Sequence, residues 1–243
     1  MTHIEALQNA TVEGNIIKLP PVQLDRDVYL QVKKSLELIG GKWKSGKVQG
    51  FVFEQDPTEL LARIADGGEC NLKKEFQFFA TPDKIADHLV ALADIRPSDK
   101  VLEPSAGRGA IVNAIHRLYP NMVVDGCELM DLNVTFLEKI PNFRLIGRNL
   151  LTECNDNYNV IVANPPFSKN QDIEHIMKME SLLCPGGRLV SIASIHWQFA
   201  GSKKEMSFRK WLEEHNAEII PIDHGEFKES GTMVRACIVR IVK

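Results

Sequence analysis

Asn164-Pro165-Pro166-Phe167 is the stretch of this 243-residue chain whose residue types and order point to chemistry. The strand formers Val160 to Ala163 run straight into it, so a buried strand ends in a stiff, solvent-facing loop. Two consecutive prolines fix φ and remove two N–H donors, which leaves carbonyls directed outward with no helix or ladder to join. The loop therefore presents two acceptors, the Asn164 side-chain oxygen and the Pro165 carbonyl, beside the aromatic face of Phe167. Acceptors next to a ring suit a flat heterocycle bearing an exocyclic amine, with both N–H groups bound and the ring stacked. The plainer alternative is a strand followed by a proline-rich turn with a buried Phe, and the residues upstream decide between them.

Lys100 to Gly109 reads as a short apolar strand closing on Glu103, followed by a Gly107-Arg108-Gly109 turn. A helix then runs over Ala110 to Leu118, with Ile111, Ala114, Ile115 and Leu118 on one face. Glycines in such a turn let the backbone approach a ligand closely. The third glycine of the dinucleotide fingerprint is missing, which disfavours NAD. Met122 to Glu128 is a second strand, and its terminal carboxylate lies 25 residues after Glu103, where a doubly wound fold sets an acid on ribose hydroxyls. Either acid alone reads equally well as a solvated turn residue. The ordered set is the signal.

Taken together, these residues resemble class I S-adenosylmethionine-dependent methyltransferases, and among them the γ-class DNA adenine-N6 enzymes. The order of motifs in that family is a Thr-Pro segment, a glycine turn and then N-P-P-F/Y. Here these are Phe79-Ala80-Thr81-Pro82, Glu103-Pro104-Ser105-Ala106-Gly107-Arg108-Gly109 and Asn164-Pro165-Pro166-Phe167, and the resemblance covers Phe76 to Lys243. It implies S-adenosyl-L-methionine as cofactor. Thr81 and Pro82 would lie at its methionine end, with Thr81 and the N–H groups of the following helix on its carboxylate. Glu103, Ser105, Ala106, Gly107 and Gly109 would form the turn beneath it, Glu128 would take the ribose, Asn149 and Leu150 the adenine, and Asn164 would border it. Where the family has Asp, this chain has Asn149, whose carbonyl accepts the same hydrogen bond without charge and so more weakly. The resemblance assigns Asn164, Pro165, Pro166 and Phe167 to catalysis.

The elements that must position these groups follow from the pattern. The expected fold is α/β, a doubly wound seven-stranded sheet, mostly parallel with the last strand antiparallel as in the resembled fold, carrying a small N-terminal α+β accessory module. Residues 1–24 read as a loosely held arm with one short strand at Asn15 to Lys18, 25–75 as the module and 76–243 as the Rossmann-like domain. In the module, Val28, Val32, Leu36 and Ile39 fall on one helical face closed by Gly40-Gly41. Lys42 to Phe53 forms a hairpin, and Glu59 to Ala65 a second helix after Asp56-Pro57-Thr58, closed by Gly67-Gly68. In the larger domain, Pro82 opens a helix at its first position, and Asp172 to Leu183 is the helix after the catalytic loop.

Composition excludes several function classes. At 44% hydrophobic and 25% charged, the chain is an ordinary globular protein with enough apolar residues for a core. No apolar run approaches ~18 residues and the start lacks a basic-then-apolar signal, so a cytoplasmic protein with no membrane partner is expected. The five cysteines, Cys70, Cys127, Cys154, Cys184 and Cys237, are odd in number and form no C-x-x-C pair, so no metal site is expected. A net charge of −3 argues against nucleic-acid attraction over the whole surface and leaves local basic patches to find. Lys42, Lys44 and Lys47 around Trp43 suit phosphates and a stacked base, or else they keep an edge hairpin soluble over a Trp43–Phe51 core. Lys169, His196, Lys203 and Lys204 are further nucleic-acid candidates, with the alternative that they are structural or simply exposed.

The expected activity is S-adenosylmethionine-dependent methylation of adenine N6 on DNA. Because the chain ends after its last strand, where γ-class members usually carry a large recognition domain, either specificity is relaxed, which is the expectation, or the module over Asp25 to Gly68 and the Lys203 to Lys210 loop supply it. Two rival readings stand beside it: an rRNA or protein-glutamine N-methyltransferase with the same motif, and a non-catalytic nucleic-acid-binding relative, which Asn149 favours.

Overall fold

In the computed structural model, which describes residues 1–53, 56–67, 81–223, 225–227 and 235–243, the chain divides into two units, Met1–Gln77 and Phe78–Lys243. Residues 1–24, expected as a loose arm, are an ordered part of the first unit. Thr2 and Glu5 close a capping box on helix α1 (His3–Gln8), and Gly14, at φ +62°, turns the chain from β1 (Thr11–Glu13) to β2 (Ile16–Lys18). Ala6, Leu7 and Ile17 are buried in one core with Val32 and Leu36 of α2 (Arg26–Leu38). Apolar segments of only two or three residues carry no periodicity, which is why this packing is silent in the sequence.

The hairpin forms as expected from β3 (Lys42–Lys44) and β4 (Gly50–Val52), and β4 also pairs with β2, so the order is β1-β2-β4-β3 and every pairing is antiparallel. Helix α3 (Thr58–Ala65) starts where Asp56 Oδ1 accepts the Thr58 N–H at 2.9 Å, and Gly67 follows it at φ +81°. Gly68, Cys70 and the Phe78 to Ala80 part of the Thr-Pro segment lie outside the described residues.

The second unit holds the elements that carry the candidate site. In chain order these are α4 (Asp83–Ala93), β5 (Val101–Glu103), α5 (Ala110–Leu118), β6 (Val124–Cys127), α6 (Asp131–Leu137), β7 (Phe143–Gly147), α7 (Leu150–Glu153), β8 (Tyr158–Ala163), α8 (Gln171–Ser181) and β9 (Leu183–Ser194). They are followed by α9 (His196–Phe199), α10 (Lys203–Glu214), β10 (Glu218–Pro221) and β11 (Ala236–Val242). The seven strands lie in the order β10-β11-β9-β8-β5-β6-β7. β5 to β9 pair in parallel, whereas β11 runs antiparallel to both β9 and β10. This is the expected doubly wound sheet with its last strand reversed.

Side chains alternate along the central strands, and each face meets its own helices. Val160, Val162, Val190 and Ile192 pack toward α4 and α5, whereas Ile161, Ala163, Leu189 and Ala193 pack toward α8 and α10. A sheet covered on both faces needs apolar residues at every position, which is the continuous run seen at 160–163. Leu118, expected on the buried face of α5, is 62% exposed at the end of that helix, while Val112 near its start is fully buried. The buried arc of α5 is thus confined to the first two turns, next to β5. Pro82 precedes its helix as N-cap residue instead of occupying the first helical position.

From β5 the chain steps outward to β6 and β7, then returns to place β8 on the other side of β5. That reversal parts the loops after β5 and β8 at the carboxyl ends of the strands, the usual ligand position in open α/β sheets.

Candidate active site

The turn after β5 is built for close approach. Gly107 and Gly109 sit at φ +55° and +82°, a region that side chains with a Cβ enter only at a cost. The turn is locked by Ala106 N–H on the Cys127 carbonyl at 3.0 Å and Gly109 N–H on the Ala106 carbonyl at 2.8 Å. Gly109 is also the N-cap of α5, and a Cβ there would stand 2.2 Å from Ile140 Cδ1. Ser105 is half-buried, and Ala106 and Gly107 are buried.

Glu103 closes β5, buried at 2% exposure and within reach of the Val112 N–H of α5. Burial pushes its carboxyl well above the usual carboxylate range. The Val112 N–H offsets part of that rise, and the nearby Glu128 charge adds to it. Among the described residues its Oε2 has no hydrogen-bond partner. Glu128, after β6, is held by the protein's own backbone: Oε2 accepts the Gly107 N–H at 2.7 Å, and Oε1 accepts Met130 N–H at 2.8 Å and Asn133 Nδ2 at 3.2 Å. These bonds tie the second acid directly to the glycine turn. Burial still raises its pKa, and its three donors and Arg148 oppose the rise.

After β7, Asn149 is the N-cap of α7, its Oδ1 accepting the Leu151 N–H at 2.9 Å. Leu150 lies beneath it in the α8-side core, only 1% exposed, so its side chain is part of the packing and only its backbone borders the loop.

At the tip of β8, Asn164 Nδ2 donates to Thr81 Oγ1 at 3.0 Å, joining the catalytic-loop candidate to the Thr-Pro segment across 83 positions of sequence. Pro165 is buried and Pro166 half-buried. Phe167 is half-buried, leaning on the α4/α5 core without being enclosed by it. A 3-10 turn over Ser168–Asn170 follows, in which Lys169 and Asn170 stand at φ +57° and +58°, two successive left-handed residues that are not glycine. Contacts from later elements hold this turn. Asn170 Nδ2 donates to the buried Glu205 Oε1 at 2.6 Å, and Lys204 Nζ reaches the Lys169 carbonyl at 3.4 Å and Glu174 at 2.7 Å. Asp172 Oδ2 accepts both the Ser194 N–H at 2.9 Å and its hydroxyl at 2.8 Å, pinning the start of α8 to the end of β9.

The geometry therefore gathers Thr81, Glu103, Ser105 to Gly109, Glu128, Asn149 and Asn164 to Phe167 along one edge of one sheet. Lys169 is exposed beside them, His196 stands on the next strand end at 3.9 Å from Glu205, and Lys203 and Lys204 begin α10. Lys42, Trp43, Lys44 and Lys47 belong to the other unit. There Trp43, 41% exposed, meets the buried Phe51 edge-on at 5.1 Å, and the three lysines are exposed on and after edge strand β3. Sequence reasoning missed Asn170, Asp172 and Glu205, because nothing local marks a polar residue as buried by a partner twenty or more positions away. Among the described residues no group of three or more His, Cys, Asp or Glu could hold a metal ion, and no helix is long and apolar enough to cross a membrane.

No family model matches the chain. In sequence it is similar to the type II methyltransferase M.CvrRI of Paramecium bursaria Chlorella virus XZ-6E, 24% identical over 144 residues that cover 55% of this chain and 35% of that protein. In structure it is similar to the methyltransferase subunit of a type I restriction-modification system from Streptococcus thermophilus, with a TM-score of 0.59, 19% identity and coverage of 68% of this chain and 45% of that one. It is also similar to a dimethyladenosine transferase from Plasmodium falciparum, with a TM-score of 0.52, 18% identity and coverage of 68% and 64%. The chain spans about a third of the length of the curated relative it matches, and less than half of the Streptococcus subunit. Strand order, the reversed last strand and these likenesses agree: the fold is that of the class I S-adenosylmethionine-dependent methyltransferases.

Proposed function

We propose that this chain is an S-adenosylmethionine-dependent methyltransferase that acts on DNA, modifying the N6 amine of adenine with relaxed sequence preference. The observation that carries the reading is Asn164 at the tip of β8, tied through Nδ2 to Thr81 and one strand away from the glycine turn.

The residues at this edge fit the cofactor. Left-handed Gly107 lets the turn bend without a side chain, and Glu103 and Glu128 are two buried acids whose charged forms a bound sulfonium and ammonium would favour. The orphan Oε2 of Glu103 has a donor to gain. Thr81 and the start of α4 would hold the methionine end, Glu128 the ribose, and Asn149 with the Leu150 backbone the adenine. The cofactor supplies an already electrophilic methyl group.

The chain's own work is to make a poor nucleophile competent. The lone pair of an adenine N6 is delocalised into the ring, and acceptors on both of its N–H groups favour the tetrahedral nitrogen that can react. With Nδ2 on Thr81, Oδ1 of Asn164 and the Pro165 carbonyl would form the acceptor pair while Phe167 stacks the extruded base. Holding the reactants in line contributes on the order of 7–11 kcal/mol when well organised. The surplus proton leaves to water, and no side chain is needed to take it. Lys169, His196, Lys203 and Lys204 lie on the same edge as phosphate-positioning groups, which carry no base information and so support relaxed specificity.

The test is methyl incorporation from labelled donor into duplex DNA, RNA and protein fractions, by the wild-type chain and Asn164→Ala. Label is expected in DNA as N6-methyladenine, and Asn164→Ala is expected to lose about 10²–10³-fold in rate, the cost of removing one preorganised polar group. Its affinity for S-adenosylhomocysteine should change less than about tenfold. A wild-type rate in Asn164→Ala, or label confined to RNA or protein, would overturn the reading.

A further inference from the structure

We infer that Phe199 is a wedge that enters the base stack of duplex DNA and occupies the space vacated when the target nucleotide is extruded. The inference rests on the proposed methylation of DNA adenine and extends it to how the base is reached.

Among the described residues Phe199 is the most exposed large hydrophobic side chain, at 80%. A lone exposed Leu or Val is ordinary, but a fully presented aromatic is a large apolar surface left in water. Its surroundings make it a rigid projection. Phe199 ends α9, whose other aromatic, Trp197, is buried at 4% and packs edge-on against Phe208 of α10 with ring centroids 5.2 Å apart. Arg209 Nη1 donates to the Trp197 carbonyl at 2.5 Å and to the Ala200 carbonyl at 2.8 Å, clamping the backbone on both sides of Phe199. The backbone is held while one ring is presented outward.

This pedestal is also fixed to the catalytic turn. In α10, Glu205 accepts from the Asn170 side-chain amide at 2.6 Å and Lys204 donates to the Lys169 carbonyl at 3.4 Å, three and two residues after Phe167. β8 and β9 are parallel neighbours, so α9 leaves the sheet at the same edge as the Asn164 loop. Lys203 lies four residues after Phe199 and is exposed, the His196 side chain three residues before it is 69% exposed, and Lys169 is exposed on the turn held by α10. An apolar ring held out from a surface that also exposes lysines suits a DNA stack between two phosphate rows. Inserted apolar wedges partly unstack a base step, and extrusion from a duplex opposes a few kcal/mol of pairing and stacking that an unpaired base does not have.

The discriminating experiment needs no known target sequence. Labelled S-adenosylmethionine and mixed-sequence DNA, native or denatured and kept single-stranded, are presented to the wild-type chain, Phe199→Ala and Phe199→Trp. Phe199→Ala is expected to lose about 10- to 100-fold in kcat/KM on the duplex and less than about threefold on the single strand, the few kcal/mol of extrusion being the difference. Phe199→Trp, which keeps a large flat ring, should retain most of the duplex activity. Equal losses on both substrates, or no loss on the duplex, would overturn the wedge and leave adenine methylation standing. Absence of N6-methyladenine in either DNA with the wild-type chain would overturn both.

Discussion

Asn149 caps α7 through the Leu151 N–H at the position where the resembled family carries Asp. The motif order pointed to an acceptor here, and the departure from Asp raised the question of whether a neutral side chain suffices. The bond to Leu151 N–H answers the structural half, since Asn and Asp cap a helix about equally well. Charge matters only toward a ligand. Asn149→Asp should therefore leave thermal stability nearly unchanged and tighten S-adenosylhomocysteine binding by about three- to tenfold, because a charge-assisted bond is roughly twice as strong as a neutral one. Asn149→Ala should lose about 1 kcal/mol of stability with the cap. Calorimetry of Asn149→Asp showing equal or weaker binding would leave this residue a cap and nothing more. At this scale the acceptors and glycines of the site were legible because their chemistry is written in residue type. The Asn164–Thr81 bond and the hydrogen bonds from Gly107 and Met130 to Glu128 were not, since they depend on partners brought together by the fold.

Among the elements, helix α8 was legible in outline from its apolar periodicity, with ends shifted by one or two residues. Its buried polar residues were not legible. Asp172 and His175 occupy the packed side with Ile173, Ile176 and Met179, where the pinning of Asp172 to Ser194 sets the rotation of the helix. His175 Nδ1 is buried without a hydrogen-bond partner among the described residues, and burial lowers its pKa to about 4. As pH falls below about 6.5 the unfolded chain takes up a proton there that the folded chain refuses until about pH 4, so stability drains away across that window and then levels off. The full effect is about 3 kcal/mol. Glu103 and Asp172, whose pKa values are raised by burial, act in the opposite sense as pH falls, so the informative quantity is a difference between proteins. His175→Leu should narrow the loss of melting temperature between pH 6.5 and pH 4 relative to the wild type. Parallel curves for the two proteins would mean that His175 titrates normally.

For the whole molecule, the order of motifs was enough to anticipate the topology, because a glycine turn, an acid and N-P-P-F on successive strand ends must share one edge of a parallel sheet. What sequence could not assign is which surface would meet DNA under the proposed function, since lysines occur in both units and the net charge of −3 argues against general attraction. Counterion release separates the possibilities. If phosphate contacts come from Lys169, Lys203 and Lys204 alone, the logarithm of the DNA association constant should fall against that of salt with a slope of about −3. Between 50 and 200 mM salt this amounts to a loss of about 40-fold. Recruitment of Lys42, Lys44 and Lys47 in the first unit would bring the slope to about −5.4, −0.9 for each of about six contacts, and make the loss about a thousandfold or more. Lys169→Gln should reduce the slope by about 0.9 and weaken binding alike on all sequences, as expected for a phosphate contact. Fluorescence anisotropy of a labelled duplex over a salt series measures both. A steep slope unaffected by Lys169→Gln but reduced by Lys44→Gln would move the DNA surface to the hairpin, and a strong dependence of the Lys169→Gln effect on duplex sequence would make that lysine a reader of bases.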